Sequence, residues 1–208
     1  MIPRLQTPHL QTHGDGPSQW HEWALAELLE SRTVLVDGPI DADRALAASA
    51  ELMLLDGEGD DAVQLRIESA GGTLDGALML MDVIDLLGVP VQGTCMGRAE
   101  GAALFVLAVC PERVVGPHAR LHLSEPPAIY DGFRDVTGAA EHHRARLDQL
   151  VGRLAAVTSM AEDDLREELR RGRFLGAQEA LEWGLADQVA TPEASIRRFP
   201  RRVGYRLR

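Results

Sequence analysis

The sequence predicts a single α/β domain around a mostly parallel sheet, on three observations. Short apolar strands alternate with segments of helical period. Two glycine-bearing turns each lead from a strand into a helix. The 208 residues, 45% of them hydrophobic, suffice to bury one core without disulfides or metals.

The elements follow in order. Trp20 to Leu29 has an amphipathic helical pattern, and Thr33 to Val36 is a short apolar strand ended by Asp37-Gly38-Pro39. Asp41 is placed to cap a helix running to Leu55, stopped at the Gly57/Gly59 region. Val63, Leu65 and Ile67 alternate with polar residues as a second strand, which runs through Ser69-Ala70-Gly71-Gly72 into a helix from about Thr73 to Leu87. Val89 to Met96 is a third strand, and Ala99 to Val109 is a helix apolar nearly all round, hence buried. Val114-Val115 and Arg120 to Leu123 read as further strands, with His122 and Ser124 on one face by the period of two, ended by Pro126-Pro127. A long helix follows from Thr137 to Val157 with Leu147, Leu150, Val151 and Leu154 on one stripe, then shorter helices from Asp163 to Arg170 and from Ala177 to Trp183. Alternation of strands with crossover helices implies a sheet covered on both faces.

Three segments are expected: a flexible polar start over residues 1–19, a folded body over 20–190, and a basic tail over 191–208. The net charge of −11 argues against nucleic acid as a partner. Arg197 to Arg208 carries six arginines and no acid, so discounting them leaves the rest of the chain near −17. Lysine is absent, which reflects coding bias more than function. The start lacks a basic segment followed by an apolar one, and no run is long enough to span a membrane, so a soluble, cytoplasmic protein is expected. Cys95 and Cys110 lie in apolar runs and read as buried free thiols, and neither a metal nor a cofactor is expected.

Chemistry points to the two glycine turns. In Ser69-Ala70-Gly71-Gly72-Thr73, consecutive glycines leave backbone N–H groups unobstructed before a helix N-terminus, an arrangement that can hold an oxyanion, though such turns are also common in purely structural roles. The second, Gly97-Arg98-Ala99-Glu100-Gly101-Ala102-Ala103, stands at the start of the buried helix, where a nucleophile would sit. Glycine occupies that place.

At these residues the chain resembles the ClpP family of self-compartmentalised serine peptidases. Ile67 to Gly72 is similar to that family's Ile-Asn-Ser-Pro-Gly-Gly turn, and Thr94-Cys95-Met96-Gly97-Arg98-Ala99 to the approach to its nucleophile. Pro117 to Arg120 and Pro126 match the strand that carries its histidine. Arg171-Gly172-Arg173-Phe174-Leu175, Glu179-Ala180 and Trp183-Gly184-Leu185-Ala186-Asp187 match its final motif. The resemblance spans about Trp20 to Val189 and implies a ClpP/crotonase-like spiral of β-β-α units with a protruding long helix.

Carried over residue by residue, it puts the catalytic serine on Gly101, the histidine on Ser124 and the aspartate on Gly172, and the oxyanion donors on the N–H groups of Gly72 and Ala102. It implies a ClpP-like subunit without proteolytic activity, in a ring of its own copies or with an active ClpP paralogue, and served by a AAA+ unfoldase. Arg120 and Arg171 fall where the family has arginines, the latter at ring contacts. The Ala128 to Phe133 segment departs from the family's Gly-rich one. Two other readings stay open: an acyl-group hydrolase or peptidase with relocated chemistry at His122, Ser124 and Glu100, and a crotonase-like acyl-CoA enzyme using Glu100 and Glu125. Against relocation, residues two apart on a strand project in parallel, and a base must come within about 3 Å of its nucleophile. His122 is then expected to pack against a helix covering the sheet. His142 and His143 share the long helix and cannot both face one site.

Overall fold

The structure, a computed structural model, describes residues 18–128 and 136–191. Helix α1 (Ser18–Glu30) leads into strand β1 (Thr33–Asp37). The Asp41 carboxylate accepts the Arg44 N–H at 2.9 Å, capping α2 (Ala42–Glu58) as its sequence position predicts. Then come β2 (Val63–Glu68), α3 (Leu74–Leu86, capped by Thr73), β3 (Val91–Cys95) and a short strand β4 (Arg98–Glu100). Next are α4 (Ala102–Val109), β5 (Glu112–Val115) and β6 (Arg120–Leu123), followed by the long helix α5 (Val136–Val157). The described chain closes with α6 (Glu162–Arg171), β7 (Arg173–Leu175), α7 (Ala177–Glu182) and β8 (Gln188–Val189).

The strands form two sheets where one was expected. Five of them, in the order β1-β2-β3-β5-β8, pair in parallel throughout. A second sheet has β6 at its centre, parallel to β4 and antiparallel to β7. It takes over where β2 runs out: Ser69 N–H donates to the Arg98 carbonyl, and Glu100 N–H to the Ser69 carbonyl. The helix expected from Ala99 therefore starts three residues later, because Arg98 to Glu100 serve as a strand.

Val34, Val36, Val63, Leu65, Ile67 and Cys95 bury one face of the large sheet completely. The other face is covered in part: of the row Thr33, Gln64, Gln92 and Glu112 in register across it, Thr33 and Gln64 are buried and Glu112 is exposed. All eight residues of α4 are buried, with Leu104, Phe105 and Leu107 at the centre. Cys95 and Cys110 are buried free thiols, and burial pushes both up to about 12, so they stay protonated at neutral pH.

Helix α5 docks through its C-terminal half, where Leu150, Val151 and Leu154 are fully buried. The turns before Leu150 are largely exposed, anchored by Arg146 to Asp75 of α3 at 3.5 Å. Expectations for residues 1–17, 129–133 and 192–208 lie outside the described residues.

Candidate oxyanion pocket

The first glycine turn is built by close backbone approach. Ile40 N–H donates to the Gly71 carbonyl at 2.8 Å, and Thr73 N–H to the Ile40 carbonyl at 2.9 Å. A Cβ at Gly72 would stand 2.3 Å from the Ile40 oxygen, so only glycine fits there. Ser69 is fully buried and closes the turn, its hydroxyl donating to the Gly71 carbonyl at 2.9 Å.

The second turn hangs on an acid. The Glu68 carboxylate accepts the backbone N–H groups of Met96, Gly97 and Arg98 at 3.0, 2.8 and 3.1 Å. Three donors on one carboxylate fix the start of β4 and, through it, Gly101. Gly101 adopts φ 47°, ψ −119°, a conformation that residues with side chains adopt only under strain. This is the sharp strand-to-helix bend that exposes a nucleophile at a helix N-terminus. Gly101 N–H donates to the His122 carbonyl at 2.8 Å, which ties the bend to β6.

The two turns meet at a cavity of about 310 Å³ bordered by Gly71, Gly72, Gly101, Ala102, Ser124 and Glu125. Among the described residues no protein acceptor takes the N–H of Gly72 or of Ala102. Such a pair, one of them at the N-terminus of α4, can stabilise negative charge on a carbonyl oxygen or hold a carboxylate.

The positions that the resemblance assigns to nucleophile, base and acid converge beside this cavity. A Cβ on Gly101 would lie 3.4 Å from Ser124 Oγ. Ser124 Oγ stands 3.4 Å from His122 Nδ1, and His122 Nε2 stands 3.3 Å from where a Cβ on Gly172 would be. His122 and Ser124 lie side by side as the period of two predicts, at a separation longer than the about 3 Å that a base needs to reach its nucleophile. Where a covering helix was expected, the His122 ring stacks on Phe174 of β7, with centroids 4.0 Å apart and planes 7° from parallel.

Glu100 stands beside His122 in the register of β4 with β6, but its side chain is engaged elsewhere. Its carboxylate is held by Arg120 at 2.6 Å, and the Arg120 guanidinium lies 5.8 Å from the Phe174 ring centre. Arg171 is also engaged within the chain, with Glu167 at 3.0 Å and Glu168 at 3.2 Å on its own helix. Both arginines remain more than half exposed. His142 is exposed on α5, remote from these residues in sequence.

Three residues that sequence reasoning passed over hold the site together. Glu68 stands in the turn motif where the resembled family has asparagine, which was a readable signal. Phe174 orients His122, but nothing in the sequence shows that β7 returns antiparallel to β6. Arg113 donates to both carboxylate oxygens of Asp187, at 2.9 and 2.7 Å, and to the Gly184 carbonyl at 2.8 Å, fastening the final motif to the large sheet. The Arg113 hydrogen bond holds the Asp187 carboxyl below the usual carboxylate range.

Paired N–H donors at a strained strand-to-helix bend, on a parallel sheet with a smaller one beside it, make this an α/β protein with an arrangement of the kind that acyl-transfer hydrolases use to hold an oxyanion. The model of the Clp protease family matches residues 18–193. The chain is 33% identical over 171 residues to ATP-dependent Clp protease proteolytic subunit 1 of Nocardia farcinica, an alignment covering 80% of this chain and 87% of that protein. The chain belongs to the Clp protease family.

Proposed function

We propose that this chain is a non-proteolytic member of the family, a subunit that holds polypeptide or shapes an assembly without cutting the peptide bond. One observation carries the reading. At the bend that presents the nucleophile the residue is Gly101, while the bend, the oxyanion donors and the cavity around them are kept. The base position is Ser124 and the acid position is Gly172. Loss of the nucleophile or base of such a triad costs about a million-fold in turnover, leaving on the order of 10³–10⁴ over water from the oxyanion hole and binding. Glycine offers no substitute nucleophile.

The resemblance supplies the setting: a cytoplasmic ring of this chain, alone or mixed with an active ClpP paralogue, fed by a AAA+ unfoldase. Such a subunit would alter substrate choice, ring stability or unfoldase docking. Conservation of the folded body with its long helix, beside loss of the reactive groups, supports this role.

A second reading rests on the Ser124–His122 contact at 3.4 Å, which brings a hydroxyl and an imidazole to the cavity wall. As an acyl hydrolase, Ser124 would attack a carbonyl while His122 took its proton. The distance exceeds the roughly 2.6–3.2 Å of a working pair, and Glu100 is committed to Arg120. The inactive-subunit reading is therefore the stronger.

Hydrolysis of a fluorogenic peptide and ester panel by the purified protein, beside Ser124→Ala and His122→Ala, separates the two. Equal background from all three proteins is expected. Turnover abolished by either substitution would instead assign the chemistry to the relocated pair.

A further inference from the structure

A second cavity, of about 500 Å³, opens between α5 and α6. Its α5 wall is the stripe Arg144, Leu147, Asp148 and Val151, which the helical period places on one face. Across from it, Arg166 and Arg170 stand one turn apart on α6. Glu125 lines this cavity and also borders the oxyanion pocket, so the two share this residue. The segment between them is pinned to α6, since Glu125 N–H donates to the Leu169 carbonyl at 3.3 Å.

Three guanidinium groups and two carboxylates, Asp148 and Glu125, line this cavity, a basic balance in a chain of net charge −11. The guanidinium groups are not equally committed. Arg166 is clamped on the Asp148 carboxylate and reaches Glu162 at 3.6 Å. Arg170 pairs with Glu167 at 3.1 Å, but both are exposed, and such a pair is worth little. Arg144 is exposed and has no ionic partner among the described residues. The basin therefore offers one free guanidinium and one loosely held one above an apolar floor of Leu147 and the buried Val151. A guanidinium beside such a floor fits a carboxylate carried by an alkyl stem, held through a charge-assisted hydrogen bond.

We propose that this basin is a carboxylate-selecting subsite, in which Arg144, aided by Arg170, holds the carboxylate of a polypeptide whose neighbouring carbonyl lies at the Gly72 and Ala102 amides. The inference rests on the reading above that the oxyanion pocket holds polypeptide uncut. It adds a preference: acidic segments are retained and neutral ones released. The carboxylate comes either from an internal glutamate or aspartate or from a chain terminus.

Anisotropy of labelled peptides titrated with the full-length protein tests this. Three peptides share one apolar sequence: one with an internal glutamate and an amidated end, one with glutamine and an amidated end, and one with glutamine and a free end. A peptide with a carboxylate is expected to bind at least about tenfold tighter than the one without, with the advantage shrinking in high salt. Whichever of the two carboxylate peptides binds tighter identifies the source. Arg144→Ala, at an exposed site with no partner to strand, should erase the advantage while leaving the neutral peptide's affinity unchanged, and Arg144→Lys should restore part of it. Equal affinity for all three peptides, no binding of any, or an equal loss on all three in Arg144→Ala would overturn the proposal. Mass spectrometry of the recovered peptides keeps the two readings apart. Cleaved peptide with the carboxylate advantage intact would remove the uncut reading and leave the subsite standing.

Discussion

His122 stands directly in front of Gly172: a Cβ on that glycine would lie 3.3 Å from His122 Nε2. An aspartate at 172 would therefore meet His122 before it could reach a side chain at 124. Gly101, Ser124 and Gly172 converge, but the imidazole of His122, stacked on Phe174, fills the space between two of them.

Restoring the three family residues should accordingly fall short. The variant Gly101→Ser, Ser124→His, Gly172→Asp is expected to show no peptide hydrolysis above the native protein. Adding His122→Met, which clears the imidazole, should give measurable release from a fluorogenic peptide. Ser at 101 carries a strain of about 1–3 kcal/mol at its positive φ, read as a lowered denaturant midpoint in the single variant. Equal activity with and without His122→Met would show that the imidazole does not obstruct.

Gly72→Ala drives a methyl group to 2.3 Å from the Ile40 carbonyl, a backbone atom that cannot rotate away. We expect a loss of about 3 kcal/mol or an insoluble product. Gly57→Ala is the matched control. It lies in α2 with nothing within 4 Å of the new Cβ and should gain up to about 1 kcal/mol. Chemical unfolding of both variants distinguishes steric exclusion at residue 72 from a general effect of replacing glycine.

Glu68→Gln tests whether the second turn depends on its carboxylate. An amide offers one acceptor oxygen and turns an NH₂ group toward backbone donors. A loss of about 2 kcal/mol is expected, together with faster amide exchange at Met96, Gly97 and Arg98. Unchanged exchange there would remove Glu68 from the support of the bend.

The Arg113–Asp187 pair should show itself in acid. Because Arg113 depresses the Asp187 carboxyl below its ordinary value, its contribution is complete above the unfolded pKa near 4 and is lost as pH falls through the lowered folded value. Asp187→Asn should cost about 1–2 kcal/mol at neutral pH, with the gap from the native protein closing progressively below about pH 4. A gap that stayed constant into strong acid would mean that the pair contributes through shape and not charge.

How far the sequence carried can be judged from single elements. Asp41 announces its helix because an N-cap needs only its own side chain and an N–H three residues on, and Thr73, read as the start of its helix, proves to cap it in the same way. Helix α4 is legible from its unbroken apolar run, and both glycine turns from spacing alone. Strand β4 was missed because three residues carry no period, and they are a strand only by pairing with Ser69 and β6. The split into two sheets escaped for the same reason, since it depends on where partners lie. At the site, the oxyanion turn and the glycine at the bend were readable. The neighbouring of His122 and Ser124 was readable from the period of two, but the stacking of His122 on Phe174 was not, because it is set by the antiparallel return of β7.

The two late strands have a consequence for synthesis. Strand β7 completes the small sheet against β6, and β8 pairs with β5 to become the outer strand of the large one. A chain emerging from the ribosome leaves β6 unpaired on one side until β7 is free, and β5 until the last described residues are free. Unpaired edges with nearby apolar surface are what template wrong association. The interval between the appearance of α4 and that of β8 is therefore when a nascent copy most needs shielding, and a transcript truncated before Gln188 should yield protein found bound to chaperones or degraded, despite retaining nearly all of the core.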